Sequence, residues 1–154
     1  EALVDDVART GSWIVDALTS GGTLYFCGNG GSAADAQHLA AEYVVRFARA
    51  RRALPAVALT VDTSVLTAAG NDFGFDEVFA RQVAALGRPG DVIILLSTCG
   101  RSPILLRAAE VAKSRGLRTV AFLARDGGAL RAVADRLEQE EATSELLNIT
   151  FAAA

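Results

Sequence analysis

The sequence of 154 residues contains no methionine, one lysine, one histidine and two cysteines, and each scarcity removes a class of chemistry. With Lys113 as the single lysine, a Schiff-base mechanism or a phosphate loop built around lysine would have to use that one residue, which the pattern places mid-helix among charged neighbours. Two cysteines cannot make the disulfide framework of a small secreted scaffold, so Cys27 and Cys99 are expected as thiols. No basic run is longer than Arg51-Arg52 and the net charge is −3, which argues against a nucleic-acid groove, since phosphate contacts need clustered cations. There is no apolar run of the ~18 residues that a membrane helix needs and no signal-peptide pattern at the start, so no membrane partner and a cytoplasmic location are expected. Without an initiating methionine, the chain is expected to begin inside a longer one.

What remains is 51% hydrophobic and 21% charged, enough apolar side chain for a single domain over residues 1–154. The expected partners are small molecules or proteins. Leu3, Val7, Ile14 and Leu18 recur near helical spacing, and Gly21-Gly22 stops the run. Thr23 to Cys27 is a short apolar strand, followed by the loop Gly28-Asn29-Gly30-Gly31-Ser32. Ser32 and Asp35 read as the capping pair of a helix reaching about Arg49. The same order recurs at Ala56 to Thr60 before Val61 to Ser64, and at Val92 to Leu96 before Ser97-Thr98-Cys99-Gly100-Arg101-Ser102. There Ser102 reads as a cap and Pro103 stands in the first turn, where a missing N–H costs nothing. A fourth strand, Thr119 to Ala124, enters Arg125-Asp126-Gly127-Gly128. Strands apolar on both faces, each followed by a helix, predict a parallel α/β sheet covered on both sides. Ligands of such sheets sit outside the carboxyl ends of the strands.

Two loops at that edge end in a helix start bearing Ser32 or Ser102. Backbone N–H groups at helix starts bind anions, and Ser97, Thr98 and Ser102 suit a phosphomonoester held by neutral donors. The competing reading is that both serines are only caps. Gly28 to Ala33 also fits a dinucleotide fingerprint, but the acidic residue expected ~20 positions on is missing, with Asp62 about 30 beyond the loop.

His38 and Glu42 share a helix face at i, i+4. They could share a metal or act as base and partner. The bland alternative is a half-buried histidine hydrogen-bonded to Glu42 at a helix interface. Asn71 to Glu77 joins two helical pieces, with Asp76 as the N-cap of a helix ending near Leu86; Asn71 and Asp72 could be a simple turn. Arg46, Arg49, Arg51 and Arg52 follow a helix end, where cations suit the dipole, as a solvated or subunit-facing cluster. Cys99 lies in a candidate ligand loop, but no partner for covalent thiol catalysis is visible.

The strings CGNGGSAADAQHLAAE, ALTVDTSVLTAAGNDFGFDEVFARQV, ALGRPGDVIILLSTCGRS and ARDGGAL occur in this order over roughly residues 15–135. Together they resemble the sugar isomerase (SIS) domain of phosphoheptose isomerases. The resemblance implies a parallel five-stranded α/β sheet flanked by helices on both faces, a flavodoxin-like sandwich. It also implies a homotetramer with sites between subunits, and conversion of sedoheptulose 7-phosphate to D-glycero-D-manno-heptose 7-phosphate, a step of heptose biosynthesis. Carried over by position, Asn29, Gly30, Ser32, Asn71, Asp72, Ser97, Thr98, Cys99, Ser102 and Gln139 would bind substrate. Cys99 and Arg101 stand where the family more often has Ser and Asn. His38 and Glu42 match the family's H-x-x-x-E, in which the Glu is the proton-shuttling base and both side chains can bind zinc.

The C-terminus departs from that pattern. The family's last helix brings a Gln and then a His that completes the metal site, whereas residues 136–154 offer Gln139 and no His. Zinc is therefore expected to be weak or absent, with Gln139 or water in place of the missing donor. A non-catalytic SIS protein that binds the bacterial replication initiator also lacks that His, so a phosphosugar-binding role acting through a protein partner is the alternative. The resemblance further calls for one more strand and a loop before the last helix, so a segment between Asp135 and Arg136 is expected to be missing.

Overall fold

Alternate residues of a strand face opposite sides of a sheet, and here both sides are apolar. The computed structural model describes residues 2–139. In chain order the elements are α1 (Ala2–Thr19), β1 (Leu24–Gly28), α2 (Gly31–Val44), β2 (Ala56–Ala58), α3 (Thr63–Phe73), a 3₁₀ turn (Phe75–Glu77), α4 (Val78–Leu86), β3 (Val92–Ser97), α5 (Pro103–Ser114), β4 (Arg118–Leu123), α6 (Leu130–Val133) and β5 (Arg136–Gln139). Leu24, Phe26, Ile94 and Phe122 pack with Val7 and Ile14 of α1 and Leu39 and Tyr43 of α2. Tyr25, Cys27, Ile93, Leu95 and Ala121 pack with α3, α4, α5 and α6 on the other face. The result is a three-layer α/β sandwich.

The sheet order is β2-β1-β3-β4-β5, and every neighbouring pair is parallel. The chain moves outward from β1 to β2 and then crosses back to β3, so strand order reverses between β1 and β3. A crevice at that switch point is where such sheets bind ligands. The Asp91 carboxylate ties the opposite edge of the sheet, accepting from the amides of Thr23 and Arg88, each at 2.8 Å.

The structure corrects several local expectations. Helix α2 starts at Gly31 with Gly30 as its N-cap, so Ser32 lies inside the first turn and does not cap. Gly30 takes φ +57°, which favours glycine and is not signalled by the Ser32/Asp35 pattern. The helix ends at Val44, short of Arg49, because the chain turns back. The Leu54 amide donates to the Tyr43 carbonyl at 3.1 Å, and Arg51 Nη2 donates to the Glu42 carbonyl at 2.6 Å. Arg51 thus satisfies a C-terminal carbonyl of α2, while Arg46, Arg49 and Arg52 are exposed. Asp76 sits within the 3₁₀ turn, and Glu77 precedes α4 in its place as N-cap. Arg136–Gln139 follows Asp135 directly as β5 alongside β4, so these residues form a strand where the resemblance put the start of the last helix. The remainder of that expected helix lies outside the described residues.

The seat of α2 on β1 depends on Gly28. A Cβ there would lie 2.6 Å from the Ser32 carbonyl oxygen and 2.7 Å from Ser32 Cβ, whereas one on Gly31 would meet nothing within 4 Å. Gly28→Ala should therefore destabilise the protein by about 1–3 kcal/mol, the usual cost of forcing atoms into a packed site. Gly31→Ala should be neutral or slightly stabilising. Urea denaturation of both variants checks the contrast.

Candidate functional site

Both helices that begin at the switch point start without a side-chain cap. Ser102 is the N-cap of α5 by backbone position, but its hydroxyl accepts no helix amide; it accepts instead from Asn29 Nδ2 at 2.9 Å. That bond joins the loop after β1 to the loop after β3 and sets the two helix starts side by side. By contrast, α3 is capped by its own Asp62, which accepts from the Val65 amide at 3.0 Å. Asp62 is thereby committed, which removes it as the ribose-binding acid of the dinucleotide reading. Uncapped first-turn amides carry partial positive charge and can receive an anion.

The β3 loop is shaped by Ser97, a buried side chain whose hydroxyl accepts from the Gly100 amide at 3.0 Å. Thr98 is exposed and Cys99 half-buried at its tip. Beside the β1 loop, on the side of α3 and α4, lies a cleft of about 190 Å³, bordered by Asn29, Thr60, Leu66, Phe75, Phe79 and Ile104. This is below the ~300–1,000 Å³ usual for a ligand pocket, so within one chain the cleft is too small to enclose a whole ligand of that class. Sequence reasoning missed Thr60 and Phe75 as its walls. Thr60 lies two residues past β2 at the carboxyl edge, where the switch-point rule could have found it, and Gln37 Nε2 fixes it by donating to its hydroxyl at 3.2 Å.

Other candidate residues stand apart. Asn71 and Asp72 occupy the last turn of α3, where Asn71 Nδ2 donates to Asp72 Oδ1 at 2.8 Å. Asp72 borders a separate apolar groove with Val57, Val61, Phe73 and Leu86. Backbone register aligns Gln139 with Leu123, and Leu123 with Ser97, so Gln139 ends β5 at the carboxyl edge, two strands from β3. Lys113 lies near the far end of α5, with Nζ 3.6 Å from Asp135 Oδ1, and is no part of the cleft.

His38 Nε2 is 3.8 Å from Glu42 Oε1, and the two side chains are 69% and 20% exposed. This is longer than a hydrogen bond and the histidine is mostly exposed, so the half-buried, hydrogen-bonded pair is not what forms. The pair lies along the flank of α2. At 1.5 Å per residue, His38 is about 9 Å and Glu42 about 15 Å along the helix from Ser32. A zinc site takes three protein ligands or more, and among the described residues no three His, Cys, Asp or Glu side chains converge. The described residues therefore do not fit a zinc ion.

The SIS domain family model matches residues 1–124. The chain belongs to the SIS domain family. Within that family it is 54% identical over 133 residues to a phosphoheptose isomerase of Chlorobaculum tepidum, covering 85% of this chain and 64% of that protein. It is 57% identical over 123 residues to that of Paramagnetospirillum magneticum, covering 80% and 64%. The SIS chain thus spans a little under two thirds of the length of these relatives. The structure of phosphoheptose isomerase from Neisseria gonorrhoeae superposes with a TM-score of 0.87 at 40% identity, covering 97% of this chain and 86% of that one. One from Francisella tularensis gives 0.85 at 33% identity, covering 99% and 83%. Among the described residues, no helix is long and apolar enough to cross a membrane.

The two thiols of this SIS domain differ in kind. Burial pushes the Cys27 thiol far above its ordinary value, so it stays protonated under the sheet. In the unfolded chain it ionises from about pH 8.5. There the unfolded state binds fewer protons, so its contribution makes stability fall as pH rises past that point. A thiol reagent at pH 8 should label Cys99 alone in the native protein and both cysteines after denaturation; rapid native labelling of Cys27 would contradict the buried placement.

Proposed function

We propose that the chain is a phosphosugar isomerase that interconverts sedoheptulose 7-phosphate and D-glycero-D-manno-heptose 7-phosphate through an enediol, in the cytoplasm, as a homotetramer. The observation that carries this reading is the pair of uncapped helix starts joined across one crevice, in a chain more than half identical to named phosphoheptose isomerases. The first-turn amides of α2 and α5, with Asn29, Gly30, Ser32, Thr98 and Ser102, receive the phosphate and neighbouring hydroxyls. Ser97 and Cys99 form the floor and tip of the same loop.

Glu42 is the base. Its carboxylate takes a proton from C1 of the ketose as the C1–C2 enediol forms, then returns it to C2, leaving the carbonyl at C1. His38, on the same face, moves the accompanying proton from O1 to O2. Because Glu42 lies about 15 Å along α2 from Ser32, the base that serves one cleft belongs to a second copy of the chain. Exposed Val44, Val45 and Phe47 beside Glu42 supply apolar surface for that copy to cover. Asn71 and Asp72, away from their own cleft, are proposed to contact sugar in the same shared manner, with Gln139 at the sheet's carboxyl edge.

Glu42→Gln keeps the shape and removes the base. It should lower isomerisation by at least ~100-fold, the usual scale of a lost general base, while binding of the sugar phosphate persists. Proton NMR of sedoheptulose 7-phosphate in D₂O reads both. If the parent protein binds the sugar phosphate but exchanges no C1 or C2 proton with solvent, the isomerase reading fails and a binding role through a protein partner replaces it.

A further inference from the structure

The loop after β4 is clasped to the loop after β3. The Leu130 amide donates to the Gly100 carbonyl at 2.9 Å. A Cβ on Gly128 would lie 2.5 Å from the Cys99 carbonyl oxygen and 2.7 Å from Arg101 Cγ, so the two backbones touch. Across this contact Arg101 Nη2 donates to Asp126 Oδ2 at 2.5 Å, while Asp126 Oδ1 accepts from the Gly128 amide at 3.3 Å. Asp126 therefore holds its own turn and the side chain next to Ser102, and Ser102 in turn holds Asn29. A continuous series of contacts runs from Asp126 through Arg101 and Ser102 to Asn29, which lines the cleft.

We propose that Arg101 and Asp126 form a latch that positions the β3 loop for anion binding. This rests on the phosphosugar reading of the cleft. The alternative role for an arginine at that place is to attract phosphate by charge alone, and the two differ in what they require of Asp126. As a bystander, the Asp126 carboxylate repels an anion, and removing its charge tightens binding. As half of the latch it is needed, and removing its charge loosens the loop and weakens binding.

The test uses the full chain, inorganic phosphate titrated by calorimetry, and amide hydrogen exchange at Gly100 and Leu130. Asp126→Asn should weaken phosphate binding up to about five-fold, the range open to an exposed ion pair, and accelerate exchange at both amides. The reversed pair, Arg101→Asp with Asp126→Arg, should restore slow exchange and most of the affinity. Tighter or unchanged phosphate binding in Asp126→Asn, or unaltered exchange, overturns the latch. If the parent chain binds no phosphate, the phosphosugar reading of the cleft falls, and the exchange rates alone decide the latch.

Discussion

An α-helix advances a fixed 1.5 Å per residue, and that rigidity divides the chemistry of this chain in two. On the proposed reading, the glycine loop and the first turn of α2 form an anion cradle at the switch point of the sheet. The histidine and carboxylate on the same helix lie two to three turns further on, along its flank. No side-chain rotation closes ten residues of helix. The cradle and the base can cooperate only if two copies of the chain approach each other, and the small volume of the cleft and the apolar surface beside Glu42 point the same way. Oligomerisation in this account completes the site as well as covering apolar side chains.

Within one chain the cradle rests on close approaches. Gly28 lets α2 sit against the end of β1, and Gly100 and Gly128 let the β3 and β4 loops touch. Polar contacts then fix what the glycines permit, with Asn29 on Ser102, Gly100 on Ser97, and Arg101 on Asp126. The single lysine is engaged near Asp135 at the other end of α5. On the proposed reading, anion recognition therefore falls to amides, hydroxyls and helix dipoles, which are directional and set by the backbone.

The central strands were legible in the sequence because they are continuous apolar runs ended by glycine loops, and their alternation onto two packed faces follows from strand geometry. Cap positions were less legible. Ser32 three residues before Asp35 imitates a capping pair, but the turn is set by a glycine at positive φ two residues earlier. The end of α2 was overrun because Val45 and Phe47 continue an apolar pattern, while the bonds that stop the helix come from Arg51 and Leu54, later in the chain. In the site, the serine loops could be read from local spacing. Phe75 and Asp126 could not, since each reaches the cleft or its loops only by tertiary contact, Asp126 across 25 residues to Arg101. The separation of Glu42 from Ser32 was implicit in the helix itself, yet shared spacing on one helix invites the opposite conclusion.

The claim that two copies build each site is tested most directly by mixing two inactive variants, Glu42→Gln and a cradle variant, Asn29→Ala with Ser102→Ala, after unfolding and joint refolding. If the cleft of one copy uses the base of another, random assembly yields a quarter of sites with both halves intact, so roughly a quarter of parent isomerase activity should return. If each chain used its own base and cradle, every site would carry one defect and the mixture would stay as inactive as its components.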